Sequence, residues 1–200
     1  MIHILDYGAG NLKSLSNALE KLETEFVIVK DLLNISKANG LIIPGVGSFE
    51  TGISHIEPFK DQLKELKIPI LGICLGLQLF ASSSDEGGQF IGLNMVPGKV
   101  VKFDVNLKIP QMGWNRIKIL KETPLLKGVQ SGDYFYFVHS YHIVPENKED
   151  TIATTDYGYD FASIITNNKN VYATQFHPER SGTIGLKILQ NFIDMTEVKE

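Results

Sequence analysis

The chain reads as an α/β protein, with a mostly parallel central sheet flanked by helices and a second half richer in strand. Three observations carry that reading. Up to about residue 90, short apolar runs alternate with segments of helical periodicity, the pattern of βαβ units on a parallel sheet. The only cysteine, Cys74, stands in Gly72-Ile73-Cys74-Leu75-Gly76 between an apolar run and a helix-like segment, as in a sharp strand-to-helix turn. Beyond about residue 90 the helical spacing gives way to a succession of β-rich segments.

Residues 2–7 form a first strand, and Leu12, Leu15, Leu19 and Leu22 then recur at i, i+3, i+7 and i+10 as one face of a helix. Residues 25–30 give a second strand and residues 40–43 a third, which stops at Pro44. A helix over 51–66 precedes the run 68–71 that leads into Cys74, and residues 77–81 are helix-like beyond it. Strand ends and helix starts of such a sheet meet along one edge, where ligands bind. In the second half, strands are expected over 95–103, 113–120, 134–141, 151–155, 162–166 and 171–176. Asn167-Asn168-Lys169-Asn170, between the last two, reads as a hairpin turn. A closing helix over 183–195 carries Ile184, Ile188, Leu189, Phe192 and Ile193 as its buried stripe. No repeat, low-complexity tract or linker-like stretch interrupts the chain, so residues 1–200 are expected to form one domain.

Two hundred residues suffice for a substantial core, and 43% hydrophobic with 21% charged residues is ordinary for a soluble globular protein. No apolar run approaches the roughly 18 residues of a membrane-spanning helix, and the N-terminus lacks a basic stretch followed by an apolar one. A net charge of −4 without a basic cluster makes nucleic acid an unexpected partner. A single thiol argues against a disulfide framework and for a reducing compartment, so a cytoplasmic location is expected.

A cysteine flanked by Ile and Leu can be a small buried hydrophobe. Glycines at −2 and +2 point elsewhere, because they allow a strained turn and close approach of another group. A cysteine nucleophile needs a base and an orienter for that base, and Gln175-Phe176-His177-Pro178-Glu179 offers both. His177 precedes a proline and is biased to extended geometry. In an extended chain i and i+2 share a side, so Glu179 can lie beside the imidazole, fix its tautomer and favour the imidazolium. Acyl transfer also needs donors for an oxyanion. The Leu75 amide is one, and the Pro44-Gly45-Val46-Gly47 turn, with Val46 and Gly47 at its end, supplies others. Gly8-Ala9-Gly10-Asn11 lacks the third glycine of a dinucleotide loop. Among the five histidines only His139 and His142 have a ligand-like spacing, and in a strand i and i+3 face opposite sides. No cofactor and no metal are expected.

Together these residues resemble the class I (triad) glutamine amidotransferases, whose signature is a Gly-x-Cys-x-Gly elbow with a later His-Pro-Glu. The resemblance runs nearly end to end. Asp6-Tyr7-Gly8-Ala9-Gly10-Asn11 and Met112-Gly113-Trp114-Asn115 are similar to the branch of that family that serves histidine biosynthesis, and Phe137-Val138-His139-Ser140-Tyr141 fits it as well. The resemblance implies that Cys74 attacks the side-chain amide of L-glutamine. His177, held by Glu179, then passes the proton to the leaving ammonia, and water releases glutamate from the γ-glutamyl thioester. It also implies that Gln78 holds the amino-acid end of the substrate, that Glu86, Ser140 and Tyr141 complete the pocket, and that the turn at Val46 and Gly47 rearranges before reaction. The ammonia would pass to a barrel-shaped cyclase subunit in a heterodimer, which makes imidazole glycerol phosphate and aminoimidazole carboxamide ribotide. Asn11, Trp114, Tyr136 and Arg180 match positions at that interface, Arg180 where the family more often has lysine.

One departure bears on the pathway. Gln111 precedes Met112-Gly113-Trp114-Asn115 where the histidine branch usually carries histidine. A close branch that feeds ammonia to an N-acetyl-sugar amidotransferase in surface polysaccharide synthesis would keep the triad while drifting on its partner-facing side. Two further readings stay open. A cysteine hydrolase of similar fold leaves the His-Pro-Glu and Gln78 unexplained, and a non-catalytic regulatory subunit would be expected to have lost a member of the triad.

Overall fold

In the computed structural model, which describes residues 1–33 and 35–197, the first half gives β1 (Ile2–Leu5), α1 (Leu12–Lys21), β2 (Phe26–Val29), β3 (Gly40–Gly45), α2 (Phe49–Ile56), α3 (Lys60–Glu65), β4 (Ile70–Cys74) and α4 (Leu75–Leu79). The second half gives β5 (Ser83–Ser84), β6 (Phe90–Ile91), β7 (Gly98–Lys102), β8 (Gln111–Arg116), β9 (Lys118–Ile119), β10 (Tyr134–His139), β11 (Tyr141–Pro145), β12 (Thr151–Asp156), β13 (Asp160–Thr166), β14 (Val171–Thr174) and α5 (Gly182–Glu197). The central sheet has eight strands in the order β2-β1-β3-β4-β14-β13-β12-β9. β2 through β14 run parallel in that order, and the last three strands pair antiparallel. β10 pairs with β8 in a two-stranded ribbon, and β11-β7-β5-β6 form a smaller sheet.

Alternation along the strands builds a core on each face of the central sheet. Ile4, Ile42 and Ile73 pack with Leu15 and Leu19 of α1 and Phe192 of α5 on one face. Leu5, Leu41 and Ile43 pack with Phe49, Leu75 and Leu79 on the other. The stripe expected of the closing helix is the buried one, with Ile188, Leu189, Phe192 and Ile193 in the core and Ile184 packed at its margin. Among the described residues no helix is long and apolar enough to cross a membrane.

Several boundaries differ from expectation for identifiable reasons. β3 does not stop at Pro44 but continues through it to Gly45, because β1 pairs only as far as Ile42 and leaves the proline free of a ladder bond on that side. The expected helix over 51–66 is α2, a 3-10 turn Glu57–Phe59 and α3, broken where Pro58 has no N–H to donate. The expected strand 134–141 is two strands that change sheets at Ser140, and 113–120 is likewise divided between β8 and β9. The 167–170 segment does join β13 to β14, which pair antiparallel.

The sheet register positions the site. In the parallel pair of β4 and β14, Thr174 lies opposite Ile73, so the residues after β14 emerge beside Cys74. On the other flank Gly45 lies opposite Cys74, so the turn after β3 emerges beside the start of α4. Phe176 turns into the core and stacks on Phe135 at 4.1 Å; its truncation to Ala would cost about 3–5 kcal/mol.

Candidate active site

The elbow is a backbone constraint first. Cys74 has φ +54 and ψ −104, a sparsely populated conformation that costs a non-glycine residue about 1–3 kcal/mol, and it leads directly into α4. Close packing fixes it there. A Cβ on Gly72 would lie 2.5 Å from the Phe80 ring, and one on Gly76 would lie 2.0 Å from the Ile43 carbonyl oxygen. The two glycines flanking the cysteine are thus required by approach of other groups, as the sequence suggests.

His177 follows β14 with φ −98 and ψ 97, extended as expected before Pro178. Its Nδ1 and the Glu179 Oε1 lie 2.8 Å apart, both side chains almost wholly buried. The His177 N–H donates to the Tyr136 carbonyl at 2.9 Å, and the Ser181 hydroxyl donates to the His177 carbonyl at 2.6 Å. Nε2 is buried without a hydrogen-bond partner among the described residues, and His177 lines the same cavity as Cys74. Burial alone would lower the imidazole pKa, but the negative charges of Cys74 and Glu179 outweigh it and raise the value to about 10. A ring that holds its proton between two acidic partners is suited to deliver that proton to a leaving group.

The cavity has a volume of about 270 Å³, close to the lower end of ligand pockets, roughly 300 Å³. Val46, Gly47, Cys74, Leu75, Gln78, Glu86, Ser140, Tyr141 and His177 all line it, so every residue expected to hold substrate or oxyanion comes to one place. A larger cleft of about 880 Å³ beside the 3-10 turn Pro124–Leu126 contains none of them. Gln78 is buried, not a surface helix residue, and its Nε2 donates to the Tyr141 carbonyl at 2.9 Å and to the Gln175 Oε1 at 3.2 Å. Glu86 accepts from the Phe49 N–H at 2.8 Å, and burial raises its carboxyl pKa against the opposing effect of that bond. The Val46 N–H donates to the Ala9 carbonyl at 3.3 Å, and is therefore committed away from the cavity.

Trp114, Tyr136 and Arg180 form one exposed cluster. The Arg180 guanidinium lies 4.3 Å over the Tyr136 ring, and Trp114, 56% exposed, meets that ring edge-on at 6.1 Å. Asn11 caps α1 through the Ser14 N–H at 3.2 Å, and α1 packs against the turn that carries Arg180.

Two expectations need correction. His139 and His142 do not face opposite sides of one strand: the break at Ser140 lets both rings pack on Phe103 and Phe161. Among the described residues no three His, Cys, Asp or Glu side chains group as metal ligands. Gln111, whose departure from the family pattern suggested drift on a partner-facing surface, is instead buried against His139. Burial lowers the His139 pKa to about 3, so the ring is neutral and its Nδ1–H serves the Tyr141 carbonyl at 2.7 Å. Nε2 is then an acceptor, which requires the Gln111 amide nitrogen to face it. That orientation also gives a partner to an amide nitrogen otherwise buried without one.

Gln175 is the site residue that the sequence reading passed over. It lies two residues before His177, in the bend between the end of β14 and that residue. Its Nε2 is 3.7 Å from the Cys74 sulfur.

Residues 3–195 match the family profile described as "Glutamine amidotransferase class-I". The chain is 46% identical over 198 residues to the imidazole glycerol phosphate synthase subunit HisH of Archaeoglobus fulgidus, covering 98% of this chain and 100% of that one. It is 47% identical over 199 residues to the subunit of the same name from Methanosarcina barkeri, covering 97% and 98%. Among solved structures, a glutamine amidotransferase from Thermotoga maritima superposes with TM-score 0.71 at 13% identity, over 98% of this chain and 97% of that one. PurLQS from Thermotoga maritima matches with TM-score 0.72 at 18% identity, over 96% and 97%. At these identities the structural likeness concerns the fold.

Proposed function

The chain belongs to the class I glutamine amidotransferase family, and from that premise we propose that Cys74, His177 and Glu179 form its glutaminase triad. It is the glutaminase subunit of an imidazole glycerol phosphate synthase: it hydrolyses L-glutamine to glutamate and ammonia for a cyclase partner in histidine biosynthesis. The relatives do not favour the sugar-amidation branch, and burial takes Gln111 off the partner-facing surface where drift was expected. We further propose that residues 1–200 act as one amidotransferase domain and that the protein works in the cytoplasm.

The observation that carries the assignment of the triad is the register that brings His177, held by Glu179 at 2.8 Å, to the same cavity as the Cys74 sulfur. The Cys74 sulfur adds to the side-chain amide carbon of glutamine, and the carbonyl π electrons move to oxygen. The oxyanion is stabilised by the Leu75 N–H and by the 46–47 turn once it has reoriented. His177 gives its proton to the amide nitrogen, the C–N bond breaks and ammonia leaves. Water then gives a proton to His177 while its oxygen attacks the thioester, and the C–S bond breaks to return the thiolate and release glutamate. Gln78 and Glu86 are proposed to hold the amino-acid end of the substrate, their free oxygens accepting from its α-ammonium group. Trp114, Tyr136, Arg180 and Asn11 are proposed to meet the cyclase, with Tyr136 linking that face to His177 through its carbonyl.

Cys74→Ala tests the nucleophile in the assembled complex. It should lower glutamine-dependent synthesis by about 10⁴-fold or more and leave synthesis from added ammonium salt unchanged. Retained glutamine-dependent synthesis would remove Cys74 from the reaction.

A further inference from the structure

Gln175 is fully buried immediately after β14, yet among the described residues its side-chain amide has no backbone partner. Its two neighbours are side chains of the reaction centre, Cys74 and Gln78. The orientation of both amides follows from one carbonyl. The Tyr141 carbonyl oxygen can only accept, so the Gln78 group facing it at 2.9 Å is the Nε2 amine. The second N–H of that amine meets Gln175 at 3.2 Å and requires the Gln175 oxygen there. The Gln175 NH₂ is then left to face the Cys74 sulfur at 3.7 Å. The backbone on either side is fixed, with the Gln175 N–H donating to the Ser163 carbonyl at 2.9 Å and Phe176 anchored in the core.

We infer that Gln175 is a positioning residue for the glutaminase step, its amide holding the nucleophilic sulfur on one side and the substrate-binding amide of Gln78 on the other. The sulfur otherwise has the Val138 carbonyl 4.0 Å away, an acceptor that holds a thiol but repels a thiolate. The Gln175 N–H offers the opposite: a donor for the anion that attacks and for the anion that departs when the thioester is hydrolysed. The chain Tyr141–Gln78–Gln175–Cys74 ties the place where substrate binds to the atom that attacks it. The inference rests on the glutaminase reading.

The test compares Gln175→Glu and Gln175→Met in the complete complex, measuring kcat and KM for glutamine beside the affinity of the variant chain for the cyclase. Gln175→Glu keeps an acceptor for Gln78 but puts oxygen against the sulfur, so kcat should fall about a hundredfold with KM within about threefold of wild type. Gln175→Met loses both contacts, so kcat should fall comparably and KM should rise about tenfold. Binding of the cyclase should be unchanged in both, which a packing defect of this chain would not allow. If Gln175→Glu does not assemble, Gln175→Met decides by whether kcat falls. A kcat within about twofold of wild type, or cyclase binding lost in step with glutamine-dependent synthesis in both variants, overturns the inference. The Cys74→Ala variant separates the two levels: if it still hydrolyses glutamine the glutaminase reading fails, and if it is inert while the Gln175 variants behave as wild type, this inference alone fails.

Discussion

Gly76 follows Cys74 by two residues and Gly47 lines the cavity that Cys74 borders, yet a methyl group added to the first would lie 2.0 Å from the Ile43 carbonyl oxygen, and one added to the second would meet no atom of the described residues within 4 Å. The nucleophile side is built into the sheet. Cys74 is held in its positive-φ turn by β3 and Phe80, and His177 is tied to Glu179, Tyr136 and Ser181. The oxyanion side is a turn with Gly47 at φ +108 and the Val46 side chain exposed, and its amide donates to Ala9. On the triad and oxyanion assignments proposed above, attack and proton transfer are prearranged, whereas stabilisation of the tetrahedral intermediate requires the 46–47 turn to move. A subunit whose ammonia is wasted unless a partner receives it gains from that division.

The largest effect that would break this comparison is Gly76→Ala. A Cβ against a sheet carbonyl has no flexible neighbour to displace, so a loss of about 3 kcal/mol or more in unfolding free energy is expected, read by urea denaturation. A Gly76→Ala variant of wild-type stability would show that the elbow yields. Trp114→Ala acts on the partner side: removal of an exposed aromatic anchor should weaken cyclase binding by about 2 kcal/mol, roughly 30-fold in Kd. Alkylation of Cys74 in the free chain should be unaffected, and a parallel change in both would mean that the two regions are not separable.

The pH dependence of stability sharpens the account of the locked side. His139 stays neutral to about pH 3 in the folded protein because it is buried. From its ordinary 6.5 down to about 3, the unfolded chain therefore binds a proton that the folded one does not, and stability falls as pH drops through that window. The slope is about 1.4 kcal/mol per pH unit. His177 works in the other direction. With a folded value of about 10, sustained against burial by the charges of Cys74 and Glu179, its contribution is fully present below 6.5 and is lost as pH rises to about 10. His139→Phe should flatten the acid limb only and His177→Asn the alkaline limb only, in denaturation series across pH. The smallest effect belongs to the turn: Gly47→Ala should cost about 1–2 kcal/mol through its left-handed φ alone, and a loss as large as that of Gly76→Ala would make the turn as rigid as the elbow.

Much of this was legible in the sequence because it is local. Period-two and helical spacing define the parallel half of the sheet, and the elbow glycines announce close packing. Proline after His177 predicts the extended geometry of that residue, but the contact with Glu179 is made by the 3-10 turn Pro178–Arg180 that follows and not by strand alternation. The second half was less legible because strand identity there depends on partners far along the chain: nothing in 134–141 marks Ser140 as the point where the strand leaves β8 for β7. Pro58 does mark the break in the helix expected over 51–66, a signal outweighed there by the helical spacing on either side of it. Gln111 looks like a surface residue beside its exposed neighbours Met112 and Trp114, whereas strand alternation puts it inside. The bond from Val46 to Ala9 could not be read at all, since it depends on how two loops meet.

The most direct measurement is glutamate release from L-glutamine by the purified chain, alone and then with the cyclase and its nucleotide substrate. With the Val46 amide committed to Ala9 at rest, the chain alone should be a poor glutaminase, and the complete complex should exceed it by about a hundredfold or more, the worth of an oxyanion donor. High turnover by the chain alone, unchanged on addition of the partner, would contradict the account.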